Sequence, residues 1–160
     1  MPELQRLRAD HAPALLEFER ENRAYFAASI PDRGDAFFAS FDQRHRDLLA
    51  LQDAGTDHFH VLVEPDGSIV GRVNLVYVTE DGSADLGYRI AEHAAGRGLA
   101  TAAVREVLEL APTYGLTSIR AETTLDNAAS RVILGRVGFE PTGDVTLSGK
   151  PGISFLLKLA

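Results

Sequence analysis

Between Phe59 and Ile90 the chain runs in three strand-like segments joined by turns too short to hold a crossover. Phe59-His60-Val61-Leu62-Val63 is followed by the turn Pro65-Asp66-Gly67-Ser68, a second segment from Ile69 through Val78, the turn Asp81-Gly82, and a third from Ala84 to Ile90. Parallel neighbours need a connection of about a dozen residues or more, so these three segments must lie antiparallel as a meander. Whatever else the chain builds must attach to that unit.

On both sides the apolar period becomes helical. Leu4-Gln5-Arg6-Leu7 reads as a short strand, and Asp10 as the N-cap of a helix carrying Leu15, Leu16, Phe18, Tyr25 and Phe26. Pro31 and Gly34 break the pattern before Phe37, Phe38, Phe41, Leu48, Leu49 and Leu51 resume it, and Gly55 ends this second arm of a helical hairpin. After the meander, Leu99, Ala103, Val107 and Leu110 share one helix face, closed by Pro112 and Gly115. Thr117 to Thr124 predicts a strand and Asn127 to Val137 a helix ended by Gly138. Two last strands surround the turn Ser148-Gly149-Lys150-Pro151-Gly152. The order β–αα–βββ–α–β–α–ββ predicts an α+β fold with a mixed, mostly antiparallel seven-stranded sheet and about four helices, in one domain over residues 1–160.

Composition narrows the function classes. With 45% apolar and 24% charged residues the chain is an ordinary globular sequence. It has no cysteine, which removes disulfides, thiolate nucleophiles, zinc–thiolate sites and iron–sulfur clusters together. A net charge of −7 opposes nonspecific binding to nucleic acid or an anionic membrane, so any polyanion must be held by a local site. No apolar run approaches the ~18 residues that span a bilayer, and Met1-Pro2-Glu3 does not open a signal peptide. A cytoplasmic location is the expectation.

The segment Ala95-Gly96-Arg97-Gly98-Leu99-Ala100-Thr101 is a glycine-rich turn feeding directly into a helix. Such a start offers unpartnered backbone N–H groups backed by the helix dipole, an anion site suited to a pyrophosphate. Taken alone it equally reads as a tight strand-to-helix packing turn. It is not a Walker loop, lacking Gly-Lys-Ser/Thr. It is not a dinucleotide fingerprint either, since a third spaced glycine is missing and the preceding strands form hairpins.

Further along stands Asn127-Ala128-Ala129-Ser130, leading to Gly138-Phe139. Together the two segments resemble the GNAT acyltransferase superfamily, whose first motif is Gln/Arg-x-x-Gly-x-Gly/Ala and whose second is an asparagine followed by a helix ending in Gly-Phe. The likeness is greatest to the branch of ribosomal-protein N-terminal (alanine/serine) acetyltransferases. It implies a GNAT-like sheet splayed at a cofactor cleft, with acetyl-CoA between the strand ending at Ile90 and the strand Thr117–Thr124. The backbone of Tyr88, Arg89 and Ile90 would pair with the pantetheine. The amides of Gly96, Arg97, Gly98, Leu99, Ala100 and Thr101 would hold the pyrophosphate, and Asn127 would hydrogen-bond the cofactor. One departure is Ala95, where the motif has Gln or Arg; because the loop works through backbone amides, weaker binding is expected rather than none.

The resemblance also nominates catalytic residues. Glu122 matches a glutamate proposed as general base in this branch, and its other reading is a surface glutamate on a strand. Where family members often place a tyrosine acid the chain has Leu134. Ser130 matches the serine used near the sulfur, its other reading being a helix serine bonded to backbone. With no cysteine, transfer is expected to be direct, to a primary amine: a protein N-terminus or a small molecule. An α-amine with pKa near 8 is about one-tenth neutral at pH 7, whereas a lysine near 10.4 is neutral to about one part in a few thousand, so an α-amine needs less activation.

Other features carry less. His58 and His60 share a strand face without a third ligand, so no metal is expected. His11, His45 and His93 read as surface residues, His93 close enough to the glycine turn to line the cofactor groove. Arg131 and Arg136 read as helix-surface arginines or as contacts for the cofactor's 3′-phosphate. Tyr25, Phe26, Phe37, Phe38 and Phe41 read as core or as an acceptor-pocket wall, and the resemblance puts acceptor specificity there and around Gly143–Gly152. A homodimer is among the arrangements the resemblance allows; direct nucleic-acid or membrane binding is not expected. Two competing readings remain: a non-catalytic acyl-CoA-binding sensor or partner module with the same fold, and a phosphate-ligand protein unrelated to coenzyme A.

Overall fold

The computed structural model describes residues 2–159, so Met1 and Ala160, the ends of the expected domain, lie outside the described residues. The strands are β1 (Glu3–Arg6), β2 (His58–Val63), β3 (Ile69–Val76), β4 (Ser83–Ile90), β5 (Ser118–Thr124), β6 (Glu140–Leu147) and β7 (Lys150–Lys158). They form one seven-stranded sheet in the order β1-β2-β3-β4-β5-β7-β6. All neighbours are antiparallel except β4 and β5. That parallel pair is joined through a helix, as its direction requires. The expected meander and the mixed, mostly antiparallel sheet are both present.

Instead of about four helices the described residues contain six: α1 (Ala12–Glu21), α2 (Arg23–Ala27), α3 (Asp35–Ala39), α4 (Phe41–Asp53), α5 (Leu99–Leu110) and α6 (Ala128–Arg136). Each arm of the expected hairpin is cut in two at a residue whose backbone leaves helical angles, Asn22 (φ −104°, ψ 9°) and Ser40 (φ −110°, ψ 24°), and whose side chain joins its own N–H on the carbonyl four residues back. Asn22 Nδ2 donates to the Phe18 carbonyl at 2.9 Å, between α1 and α2. Ser40 Oγ donates to the Ala36 carbonyl at 2.7 Å, between α3 and α4. Asp10 does not cap α1. It sits in a 3₁₀ turn with its carboxylate on Arg8 Nε, and His11 takes the N-cap position ahead of Pro13.

Two other boundaries move for identifiable reasons. β3 stops at Val76 because Tyr77 turns to φ 54° and donates its N–H to Asp57 Oδ1 at 2.8 Å. The last hairpin turns on Ser148 and Gly149 alone, both at positive φ, which matches strand twist and lets β7 begin at Lys150. On α5 the buried face is Leu99, Ala103, Val104 and Val107, with Leu110 rotated outward.

Alternation along β4 sends neighbouring side chains to opposite faces. Arg89 meets Glu19 of α1 on one face, while Tyr88 meets Ser130 of α6 on the other. Glu19 is 1% exposed and is faced by three guanidinium groups: Arg89 Nη1 at 2.8 Å, Arg33 Nε at 3.2 Å and Arg72 Nη1 at 3.5 Å. Burial pushes Arg72 down to about 10 and lowers Arg89, with Glu19 opposing both shifts. The rings of Phe26 and Phe37 lie under Arg89 and Arg33 at 4.5 and 4.7 Å, so the core shields the cluster with aromatic faces rather than water.

The histidines read as surface residues are not all on the surface. His11 is buried, accepting at Nδ1 from the Arg8 N–H and donating from Nε2 to Gln5 Oε1. His45 is also buried, its Nε2 donating to the Arg8 carbonyl. His60 is 1% exposed, giving Nδ1–H to the Val73 carbonyl at 3.0 Å and accepting from the Tyr114 hydroxyl at 2.7 Å.

These buried groups set how the fold responds to mutation and to acid. Glu19→Gln leaves Arg72 and Arg89 without their counter-charge and should lower stability by about 3–5 kcal/mol in urea denaturation. Burial also lowers His60 from 6.5 to about 4. The folded state therefore holds that proton more weakly than the unfolded chain. Its contribution is complete above pH 6.5 and is lost as pH falls toward 4, worth up to about 3 kcal/mol at 1.36 kcal/mol per pH unit. The pH dependence of the urea midpoint across that window should be shallower in His60→Gln.

Candidate active site

β4 and β5 pair at only three positions, Ser83 with Ser118, Ala84 with Ile119 and Asp85 with Arg120. Beyond them β4 follows β3 to the Gly71–Ile90 pair, while β5 follows β7 to the Thr124–Gly152 pair. The two half-sheets part, and a cleft of about 980 Å³ opens between them. Residues 86–90 of β4 and 121–124 of β5 line it, each strand turning an edge without a strand partner into the gap. Backbone N–H and C=O groups require partners, so the cleft suits an extended guest that carries amides of its own.

One end of the gap leads to the glycine turn. Gly96 and Gly98 stand at φ 79° and 74°, the left-handed region that side-chain-bearing residues avoid, and nothing lies within 4 Å of where a Cβ would point at either. Gly98 caps α5 without a side-chain hydrogen bond, and its carbonyl is taken by the Ala102 N–H. The N–H groups ahead of Ala102 therefore have no intrahelical acceptor, and the space above them is open. This cradle fits a pyrophosphate.

Eleven of the twelve residues nominated from the sequence line the cleft: Glu122, Ser130, Tyr88, Arg89, Ile90, Gly96, Gly98, Leu99, Ala100, Thr101 and Asn127. Arg97 does not; it is exposed at the apex of the turn. His93 is also outside the wall, and of the two helix arginines only Arg136 reaches it, Arg131 donating instead to the Leu125 carbonyl. The Arg89 side chain is engaged by Glu19. Asn127 caps α6, its Oδ1 accepting from the Ser130 N–H at 3.1 Å, so its Nδ2 is the donor left over. Glu122 is exposed, and strand alternation places it on the Arg89 face, opposite to Ser130.

Several contributors escape a reading of the sequence. The Tyr88 and Ser130 hydroxyls lie 2.8 Å apart, and burial raises Tyr88 above the ordinary tyrosine range. Asn22 Oδ1 accepts from the Glu92 N–H at 2.9 Å, bracing the segment between β4 and the glycine turn. Isolated Asn and Tyr residues in unrelated elements carry no spacing signal that could have revealed either contact. At the other end of the cleft stand Ser29, Ile30 and Pro31 from the link between α2 and α3, with Leu147, Ser148 and Lys150 from the β6–β7 hairpin. Of the five aromatics, Phe26, Phe37 and Phe41 are core, and Tyr25 and Phe26 line the cleft.

Among the described residues no group of three or more His, Cys, Asp or Glu side chains is placed to hold a metal ion. No helix among them is long and apolar enough to cross a membrane.

Residues 3–140 match the family model described as an acetyltransferase (GNAT) domain. No curated protein matches the chain in sequence. Among solved structures it is similar to ribosomal-protein-S5-alanine acetyltransferase from Vibrio fischeri (TM-score 0.93, 20% identity, covering 99% of this chain and 93% of that one). It is similar also to Mycobacterium smegmatis RimJ in complex with CoA-disulfide (0.85, 25%, 97% and 80%). A third is the microcin C7 self-immunity acetyltransferase MccE in complex with acetyl-CoA and AMP (0.83, 17%, 98% and 92%).

Substituting Gly98 tests the cradle. Gly98→Glu forces a side chain into the left-handed region and sets a carboxylate against the helix N-terminus. Calorimetric affinity for coenzyme A should fall at least about ten-fold while the far-ultraviolet circular dichroism stays unchanged.

Proposed function

Because this chain belongs to the acetyltransferase (GNAT) family, we propose that it moves the acetyl group of acetyl-CoA directly to a primary amine, either the α-amine of a protein N-terminus or that of a small molecule. The observation that carries this reading is the pair of unpartnered strand edges where β4 leaves β5, opening beside the free N–H groups at the start of α5. The backbone of Tyr88, Arg89 and Ile90 holds the pantetheine arm, and the amides of the Gly96–Thr101 turn hold the pyrophosphate. Asn127 contributes its Nδ2.

When bound, acetyl-CoA supplies an activated carbonyl: a C–N bond forms, the C–S bond breaks, and the bonding pair leaves on sulfur. The chain has no cysteine to carry the acetyl group itself, so the amine and the donor must meet in the cleft. Glu122, open to water on the Arg89 face, takes the proton that the amine gives up and passes it to solvent. Ser130, on the opposite face, donates a hydrogen bond to the sulfur. A solvent-open carboxylate is a modest base, which favours an acceptor already partly neutral at pH 7; an α-amine meets that condition far better than a lysine. The activity named for the similar Vibrio fischeri protein is the reason to put N-terminal peptides first among acceptors.

The test is calorimetric titration with acetyl-CoA against NAD as control, followed by coenzyme A release across N-terminal peptides, free amino acids, polyamines and aminoglycosides. Acetyl-CoA binding without an NAD response, and acetylation of an α-amine before a lysine amine, is the expected result. Binding without transfer to any amine would replace the enzyme by an acyl-CoA sensor, and no binding at all would end the reading.

A further inference from the structure

Deep in the cleft two hydroxyls from different elements meet. Tyr88 reaches across from β4 and Ser130 from the first turn of α6, with their oxygens 2.8 Å apart and either able to donate. Ser130 is held at both ends, since its backbone N–H is already bound to Asn127 Oδ1. Leu134, one turn further along α6, is 1% exposed and offers no hydrogen of its own.

The arithmetic of hydrogens gives this pair a direction. Two hydroxyls sharing one hydrogen bond spend one O–H between them and keep one free. A phenol is the more acidic donor and an alkyl hydroxyl the better acceptor, so the shared bond runs from Tyr88 to Ser130. The free O–H is then on Ser130, and a hydroxyl that accepts one hydrogen bond becomes a stronger donor of the next.

We propose that Tyr88 is a positioning residue, which holds and polarises Ser130 so that its hydroxyl is aimed at the coenzyme sulfur as the bonding pair arrives there. The inference rests on the transfer reading for the place of the sulfur beside Ser130, and goes beyond it by making two residues one functional unit. Tyr88 itself does not give up its proton. Burial holds it above the ordinary tyrosine value of about 10, which works against release of the phenol proton. Tyr88 acts by hydrogen bonding alone, and the sulfur takes its final proton from solvent.

The test uses a property of this chain that few proteins share. Because it contains no cysteine, the thiol of bound coenzyme A is the sole thiol in the sample. Its ionisation can be followed by thiolate ultraviolet absorbance after subtraction of the ligand-free protein. The titration is run with coenzyme A on the wild type, Tyr88→Phe, Ser130→Ala and the double variant. A hydrogen bond to the charged form should place the bound thiol about one unit below free coenzyme A in the wild type. Tyr88→Phe should remove much of that shift and Ser130→Ala all of it, and the double variant should titrate like Ser130→Ala. Calorimetric affinity for coenzyme A in Tyr88→Phe should stay within about two-fold of wild type, and kcat on a reactive amine should fall about ten-fold with KM unchanged.

A thiol that titrates alike in wild type and Tyr88→Phe overturns the proposal and leaves the transfer reading standing. So does a double variant whose shift equals the sum of the two single ones, since Tyr88 would then act independently of Ser130. Failure of the wild type to bind coenzyme A overturns both.

Discussion

A carboxylate sealed from water near the end of α1 governs the geometry of this molecule. Glu19 is met by Arg72 from β3, Arg89 from β4 and Arg33 from the link between α2 and α3. A buried charge is tolerable only with its partners in place, so the three elements cannot shift independently. Arg89 stands in the strand whose outer edge borders the cleft, and the link carrying Arg33 also supplies Ser29, Ile30 and Pro31 to the cleft's far wall. One ion cluster thereby ties the strand at one edge of the cleft to the segment at its far wall.

The cleft exists because a sheet has been left incomplete. β4 and β5 share three positions and then each follows a different neighbour, which leaves backbone groups facing a gap where a continuous sheet would have paired them. The cost of such groups in a protein interior is what makes them a binding surface. At one end of the gap, the start of α5 adds further unpaired donors, and two left-handed glycines keep the approach clear of side chains. The proposed cofactor would complete hydrogen bonding that the fold leaves undone.

Legibility from sequence follows the range of the interactions. The meander, the glycine turn and the cap at Asn127 are set by residues within a few positions of one another, and all are recoverable from spacing. The helical hairpin is legible as two arms but not as four helices. Its breaks fall at single residues, Asn22 and Ser40, where the backbone leaves helical angles and the side chain joins its own N–H on the carbonyl four residues back. Glu19 reads as one more acidic residue beside Glu17 and Glu21; its burial depends on arginines from three other segments. The burial of His11 and His45 is hidden for the same reason. A buried histidine differs from a surface one only through partners that local sequence does not name.

By itself, then, the sequence determined the kind of fold, the family resemblance and the place of the glycine turn, since each rests on short-range pattern: alternation, helical period, and glycine where the backbone turns left-handed. The tertiary structure decided which of the nominated residues share a wall, that Arg97 stands outside it, that Arg89 is occupied with Glu19, and that Tyr88 touches Ser130 across 42 residues of chain. Such contacts depend on where strands part and on which face each side chain takes. Those quantities are fixed by packing between distant segments, and no local pattern encodes them.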